Sequence, residues 1–107
     1  MKEIPMYLVS AFSERPFAGN PAAVCLLDAW LADDILLKMA QEHNQSETAF
    51  VVREGEAFSL RWFTTRNEVN LCGHATLASA HVIFHHLDFP HAAIHFATAS
   101  GLSLIHI

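Results

Sequence analysis

Basic residues are scarce in this chain and nowhere cluster. Six Lys and Arg stand against eleven Asp and Glu in 107 residues, a formal net charge of −5. The six (Lys2, Arg15, Lys38, Arg53, Arg61 and Arg66) are spread along the whole length. Nucleic acid and anionic membrane surfaces both demand a basic patch, so neither is expected as a partner. Cysteine is nearly absent: Cys25 and Cys72 are too few for a disulfide framework and fit a reducing cytoplasm. No apolar run approaches the roughly 20 residues of a membrane span. The opening Met1-Lys2-Glu3-Ile4-Pro5 lacks the basic-then-apolar order of a secretory signal. Internal repeats, low-complexity tracts and linkers are missing as well. A hydrophobic content of 52% with 16% charged residues lies near the globular average, which excludes disorder. Residues 1–107 are therefore read as a single cytoplasmic domain.

What is present is a legible order of elements. Met6 to Phe12 reads as a strand, and Ser13 to Pro21 as a turn-rich connection carrying Pro16, Gly19, Asn20 and Pro21. The apolar run Ala22 to Leu27 reads as a buried strand. Asp33 or Asp34 can cap a helix reaching about His43, with Ile35, Leu36, Met39 and Ala40 on one face. Glu47 to Val52 is the next strand, closed by the polar hairpin signal Arg53-Glu54-Gly55-Glu56. From Phe58 to Thr64 the pattern alternates: Phe58, Leu60 and Trp62 point one way, Ser59 and Arg61 the other. Extended chain around Glu68-Val69-Asn70 leads to a second helix, from about His74 to His86. A strand from His91 to Ala99 follows, and Gly101 to Ile107 reads as a strand that the chain end interrupts.

Strands outnumber helices and come in hairpin-like groups, which is an α+β pattern and not a doubly wound sheet. The second helix is apolar or small nearly all round, so protein must surround it. A curved, mostly antiparallel sheet wrapped barrel-like around that central helix would do so. Ala and Ser in the helix would allow close approach, and Leu77, Val82 or Ile83, and Phe84 are expected to be buried.

Two stretches carry chemistry. Leu71-Cys72-Gly73-His74-Ala75-Thr76-Leu77-Ala78 sets a thiol, a flexible position and an imidazole at the start of the second helix. The first turn of a helix has free N–H groups and a positive dipole end, which suit a carboxylate or phosphate. His74 would stand where that anion sits, able to bond it or move a proton. In Asn44-Gln45-Ser46-Glu47-Thr48-Ala49-Phe50 one acidic residue leads into an apolar strand. Flanking Ala49 and Phe50 would desolvate the carboxyl and favour proton uptake, as a general base requires. The bland alternatives are a solvated strand-edge Glu47 and a His74 satisfied by backbone.

Four segments, Phe17-Ala18-Gly19-Asn20-Pro21-Ala22-Ala23-Val24, Asn44 to Val51, Arg61-Trp62-Phe63-Thr64 and Leu71 to Ala78, together resemble the phenazine-biosynthesis family of PhzF-like isomerases. That family lies within the diaminopimelate epimerase-like superfamily, and the segments occur in its order and near its spacing. The resemblance spans about Met6 to Gly101 and covers only the first of the family's two similar domains. It implies the diaminopimelate epimerase-like fold, with an active site between the domains and a second-domain acidic motif that has no counterpart here. It also implies roles: Glu47 and His74 catalytic, Gly73 a backbone position that helps hold the substrate. Cys72 and Asn20 join the substrate-binding candidates, although Gly19-Asn20-Pro21 reads first as a turn that shapes the site. The implied reaction is a cofactor-independent isomerisation by proton transfer on a small carboxylate-bearing metabolite, without metal or organic cofactor. The chain alone is expected to be inactive without the C-terminal domain, and inclined to dimerise. In epimerase and racemase relatives two cysteines do this work, and Cys72 falls about where one would stand, so a cysteine-dependent racemase is the alternative. A non-catalytic binding or assembly domain is the third reading.

The histidines remain. His81 and His85 are four apart on a helix, and His91 and His95 four apart on a strand, so each pair shares a side. Zinc sites take four tight ligands, or three plus water, with Cys, Asp or Glu among them. No motif has that spacing, so these histidines are read as core-edge or surface residues, with no metal ligands assigned.

Overall fold

The computed structural model describes residues 4–11, 20–70, 73–87, 93–98 and 101–106. Its elements are β1 (Met6–Ala11), β2 (Asn20–Leu27), α1 (Asp33–His43), β3 (Glu47–Glu54), β4 (Ala57–Phe63), β5 (Glu68–Val69), α2 (Gly73–His86), β6 (Ala93–Thr98) and β7 (Gly101–His106). The strands make one sheet in the order β1-β2-β3-β4-β6-β7, with β5 beside β4. Most joins are antiparallel, as the hairpin signals predict, but β2–β3 and β4–β6 are parallel. Parallel neighbours need a crossover, and the two helices supply them: α1 links β2 to β3, and α2 lies between β4 and β6.

Local chemistry places several boundaries. Gly55, at φ +67°, turns β3 into β4, and Arg53 Nε donates to its carbonyl at 3.0 Å. Gly101, at φ +107°, turns β6 into β7. Asn44 closes α1 in the left-handed region (φ 52°), its N–H donating to Ala40 O at 3.1 Å; Asn tolerates that conformation better than most residues. The start of α1 departs from expectation. Ala32, in extended conformation, is the N-cap and makes no side-chain cap bond. Asp33 and Asp34 instead lie inside the first turn, where their charge complements the helix dipole. Asn20 and Pro21 also depart, since both belong to β2 and pair with Ala11 and Ser10 of β1. Pro21 can enter a strand here because the β3 ladder begins one residue later, at Ala22.

Period-two alternation divides the core between the two faces of the sheet. Ala22, Val24, Ala49, Val51, Phe58, Leu60 and Trp62 share one cluster with Ala75, Ala78, Val82 and Ile83 of α2 and with Ile94 and Phe96 of β6. Cys25, Leu27, Phe50, Val52 and Phe63 meet Leu36 and Ala40 of α1 on the other face. Small residues let α2 lie close to β1, β2 and β3, and Ser79 keeps its buried hydroxyl satisfied by donating to Ala75 O at 2.8 Å.

Two expectations about faces are corrected. Leu77 is 39% exposed and Phe84 only half-buried, because the sheet covers one side of α2 while Leu77, His81 and His85 form an outward stripe at four-residue intervals. In α1 the buried stripe is Leu36 and Ala40 alone; Ile35 is 46% exposed and Met39 half-buried, because a helix lying on a sheet buries a narrower arc than one inside a bundle.

Candidate functional site

The register of the strands brings the candidate residues to one end of the sheet. Glu47 opens β3 and stands beside Ala22, two residues after Asn20 opens β2. Thr48 pairs with Phe63 at the end of β4, and Phe63 pairs in turn with Glu68 of β5. β5 precedes the start of α2 at Gly73 by only a few residues. The starts of β2, β3 and α2 therefore gather around the end of β4. Gly73 and His74 do form the first residues of α2, as the sequence predicts. Cys72 and the side chains of Asn20 and His74 lie outside the described residues.

The backbone on either side of Glu47 is fixed by its neighbours. The Asn44 cap ends α1 abruptly, and Gln45 Nε2 donates to His43 O at 3.1 Å, which steadies the link into β3. Side chains alternate along β3, so Glu47 lies on the α2 face with Ala49 and Val51. The residue is half-buried, and its Oε2 is shielded from solvent. On the opposite face, His43 Nδ1 lies 3.4 Å from Thr48 Oγ1, and His43 Nε2 lies 4.0 Å from Cys25 Sγ. Burial lowers the His43 pKa, partly offset by Glu42. Burial also pushes the Cys25 thiol up to about 12, so this cysteine is protonated and inert at neutral pH.

Sequence reasoning overlooked two features. Trp62 Nε1 donates to Thr76 Oγ1 at 3.1 Å, a buried bond from β4 to the first turn of α2. Arg61 holds Glu68 with two bonds (Nε to Oε2, 2.8 Å; Nη2 to Oε1, 2.6 Å) and reaches Asp33 Oδ1 at 3.0 Å. Its guanidinium also stacks 5.4 Å over both Trp30 and Phe63. The signal for both was the motif Arg61-Trp62-Phe63-Thr64, whose alternation sends Trp62 to one face and Arg61 to the other.

The described histidine side chains of α2 and β6 lie away from this end. His81 and His85 rings stand 4.4 Å apart, and His86 stacks on Tyr7 at 4.5 Å. Burial, then the neighbouring His85 and His86, lowers the His81 pKa. His95 is exposed, and His91 lies outside the described residues. Among the described residues, no group of three or more His, Cys, Asp or Glu is arranged to hold a metal ion, and no helix is long and apolar enough to cross a membrane. A hollow of about 350 Å³ lined by Ile4, Pro5, Leu26, Leu27, Asp28 and Leu31 sits at the far end of β2. It is apolar and lies opposite the Glu47 end, so the hollow and the chemistry do not coincide.

This architecture is that of the epimerase-like α+β folds. A protein from Pseudomonas aeruginosa described as a predicted epimerase superposes with a TM-score of 0.74 at 29% identity, over 88% of this chain and 34% of its own. A PhzF family phenazine biosynthesis protein from Enterococcus faecalis superposes with a TM-score of 0.94 at 46% identity, over 97% of this chain and 40% of its own. The family model for phenazine biosynthesis-like proteins matches residues 9–107, and the chain belongs to that family. Its similar relatives include an uncharacterized isomerase of Pseudomonas aeruginosa, 59% identical over 99 residues, and the human phenazine biosynthesis-like domain-containing protein, 47% identical over 107. The chain spans 38% of the length of the first and 37% of the second.

Proposed function

We propose that this chain supplies one half of the active site of a cofactor-independent isomerase that moves a proton between carbons of a small carboxylate-bearing metabolite. The observation that carries the reading is the convergence of the β2, β3 and α2 starts, with Glu47 Oε2 shielded from water beside them. In this reading Glu47 takes the proton from one carbon and returns it to another. The free N–H groups at Gly73 and His74 hold the substrate carboxylate against the positive end of the helix. His74 bonds that anion or carries a proton. Shielding a carboxylate from water removes competing hydrogen bonds and strengthens every charge interaction within the closed site. The complementary groups come from a second domain, in keeping with the share of its relatives that the chain spans.

The test uses a chimera in which this chain replaces the matching segment of the 59% identical relative. Solvent-deuterium incorporation into candidate substrate carbons should vanish on Glu47→Gln, while binding persists because the shape is kept. Undiminished incorporation by Glu47→Gln would remove the base from the proposal. The likeness to a predicted epimerase keeps one rival, a racemase working through Cys72. Since Cys25 is buried and protonated, alkylation of the 107-residue chain at neutral pH reports on Cys72. Rapid labelling there, together with turnover that survives Glu47→Gln, would favour the racemase.

A further inference from the structure

The first half of α2 meets the sheet through small side chains, while Val82 and Ile83 pack into it from the second half. Ala75, Ala78 and Ser79 are all buried, and Ser79 spends its hydroxyl on Ala75 O within the helix. Apolar contact is non-directional, so a smooth surface of this kind does little by itself to fix the position of the first turn against the sheet. A hydrogen bond has a strict distance and angle and does resist sliding. The Trp62–Thr76 bond provides one at 3.1 Å, with the two residues only 2% and 6% exposed.

Its position gives it a consequence for the site. Trp62 pairs across the ladder with Ala49, and Glu47 stands two residues before Ala49 on the same face of the same strand. Thr76 stands two residues after His74, in the first turn of α2. One buried side-chain bond therefore joins the strand beside Glu47 to the turn carrying His74. Trp62 also pairs with Val69 of β5, and Arg61 grips Glu68 of the same strand from the opposite face. The end of β4 thus holds both the approach to α2 and its first turn. A slip of about one residue along the helix axis would move the N–H groups by about 1.5 Å, enough to spoil a near-attack geometry.

Resting on the proton-transfer reading above, we infer that the Trp62–Thr76 hydrogen bond is the strut that sets the start of α2 against Glu47, which makes Trp62 and Thr76 positioning residues of the site. The two residues touch no substrate; they act through Glu47 and His74.

The test compares Thr76→Val, which keeps the shape and loses the acceptor, with Thr76→Ser, which keeps the acceptor. Both are made in the full 107-residue chain and followed by NMR. In Thr76→Val the Trp62 indole N–H resonance should move upfield, and exchange of the Leu77 and Ala78 amides, which bond back to the first turn of α2, should quicken about tenfold, the upper end for one net hydrogen bond. The imidazole titration of His74 should shift, while that of His81, about two turns along the same helix, stays put. Thr76→Ser should restore all three. Unchanged Leu77 and Ala78 exchange and His74 titration in Thr76→Val would overturn the strut, and so would an equal change at His81, which would mean general loosening. Trp62→Phe, which removes the donor and leaves the Thr76 hydroxyl in place, should reproduce the exchange and His74 changes of Thr76→Val; should it fail to fold, the Val and Ser pair at Thr76 still decides. These measurements need no turnover, so a failure of the isomerase reading, seen as Glu47→Gln keeping activity in the chimera, is separable from a failure of the strut.

Discussion

His43 closes α1 with its ring between two strands, Nδ1 near Thr48 Oγ1 and Nε2 near Cys25 Sγ. Burial disfavours its cation and lowers its pKa below the ordinary imidazole value, with Glu42 opposing. In the unfolded chain the ring titrates at about 6.5. The unfolded state therefore takes up the proton first as the pH falls, and the stability present above about 6.5 is lost as the pH drops through the lowered native value. His81, lowered by burial and by His85 and His86, acts with the same sign. The urea midpoint is expected to be lower at pH 5.5 than at pH 7.5, and His43→Gln should reduce the difference. A midpoint that rises on acidification would contradict the assignment. At this scale the candidate residues Glu47, Gly73 and His74 were legible from motif order. His43 was not, because its role depends on Thr48 and Cys25 facing it across a sheet.

α2 shows how far composition reads an element. Its run of Ala, Ser, Val and Ile predicts a buried helix, and Gly73 to His86 forms one. Composition could not say which side stays outside, since Leu77 and Ile83 are equally apolar and their fates depend on which arc meets the sheet. Ile83 is fully buried and Leu77 is 39% exposed. Ile83→Ala should therefore cost about 2–5 kcal/mol in urea unfolding, the transfer loss plus a cavity, whereas Leu77→Ala should cost less than about 1. Equal costs would mean that a further layer covers Leu77. The start of α1 teaches the same lesson. Either aspartate satisfies the cap rule, yet Asp33 is drawn inside the helix, where Arg61 reaches it from β4.

At the scale of the whole molecule, the chain spans about two-fifths of its relatives, and the proposed reaction draws groups from two domains. Tested alone, residues 1–107 should incorporate no solvent deuterium into any candidate substrate, because the second domain's groups are missing and an open site lets water screen the helix dipole at Gly73 and His74. The chimera with the 59% identical relative should regain incorporation. Exchange by the isolated chain, lost on Glu47→Gln, would show that one domain suffices.

Sequence alone settled the kinds of element and their order, because turn residues and the two hydrophobic periods act over a few neighbours and leave their mark locally. The alternation of Phe58, Leu60 and Trp62, the helix beginning at Gly73 and the Gly55 hairpin are of this kind. Four motifs in order settled the family. Tertiary structure decided what depends on residues distant along the chain: the parallel joins β2–β3 and β4–β6, the entry of Asn20 and Pro21 into a strand, the outward stripe of α2, and the bonds from Trp62 and Arg61. Each is fixed by a partner that no local pattern names, since strand register and helix height follow from the packing of the whole sheet.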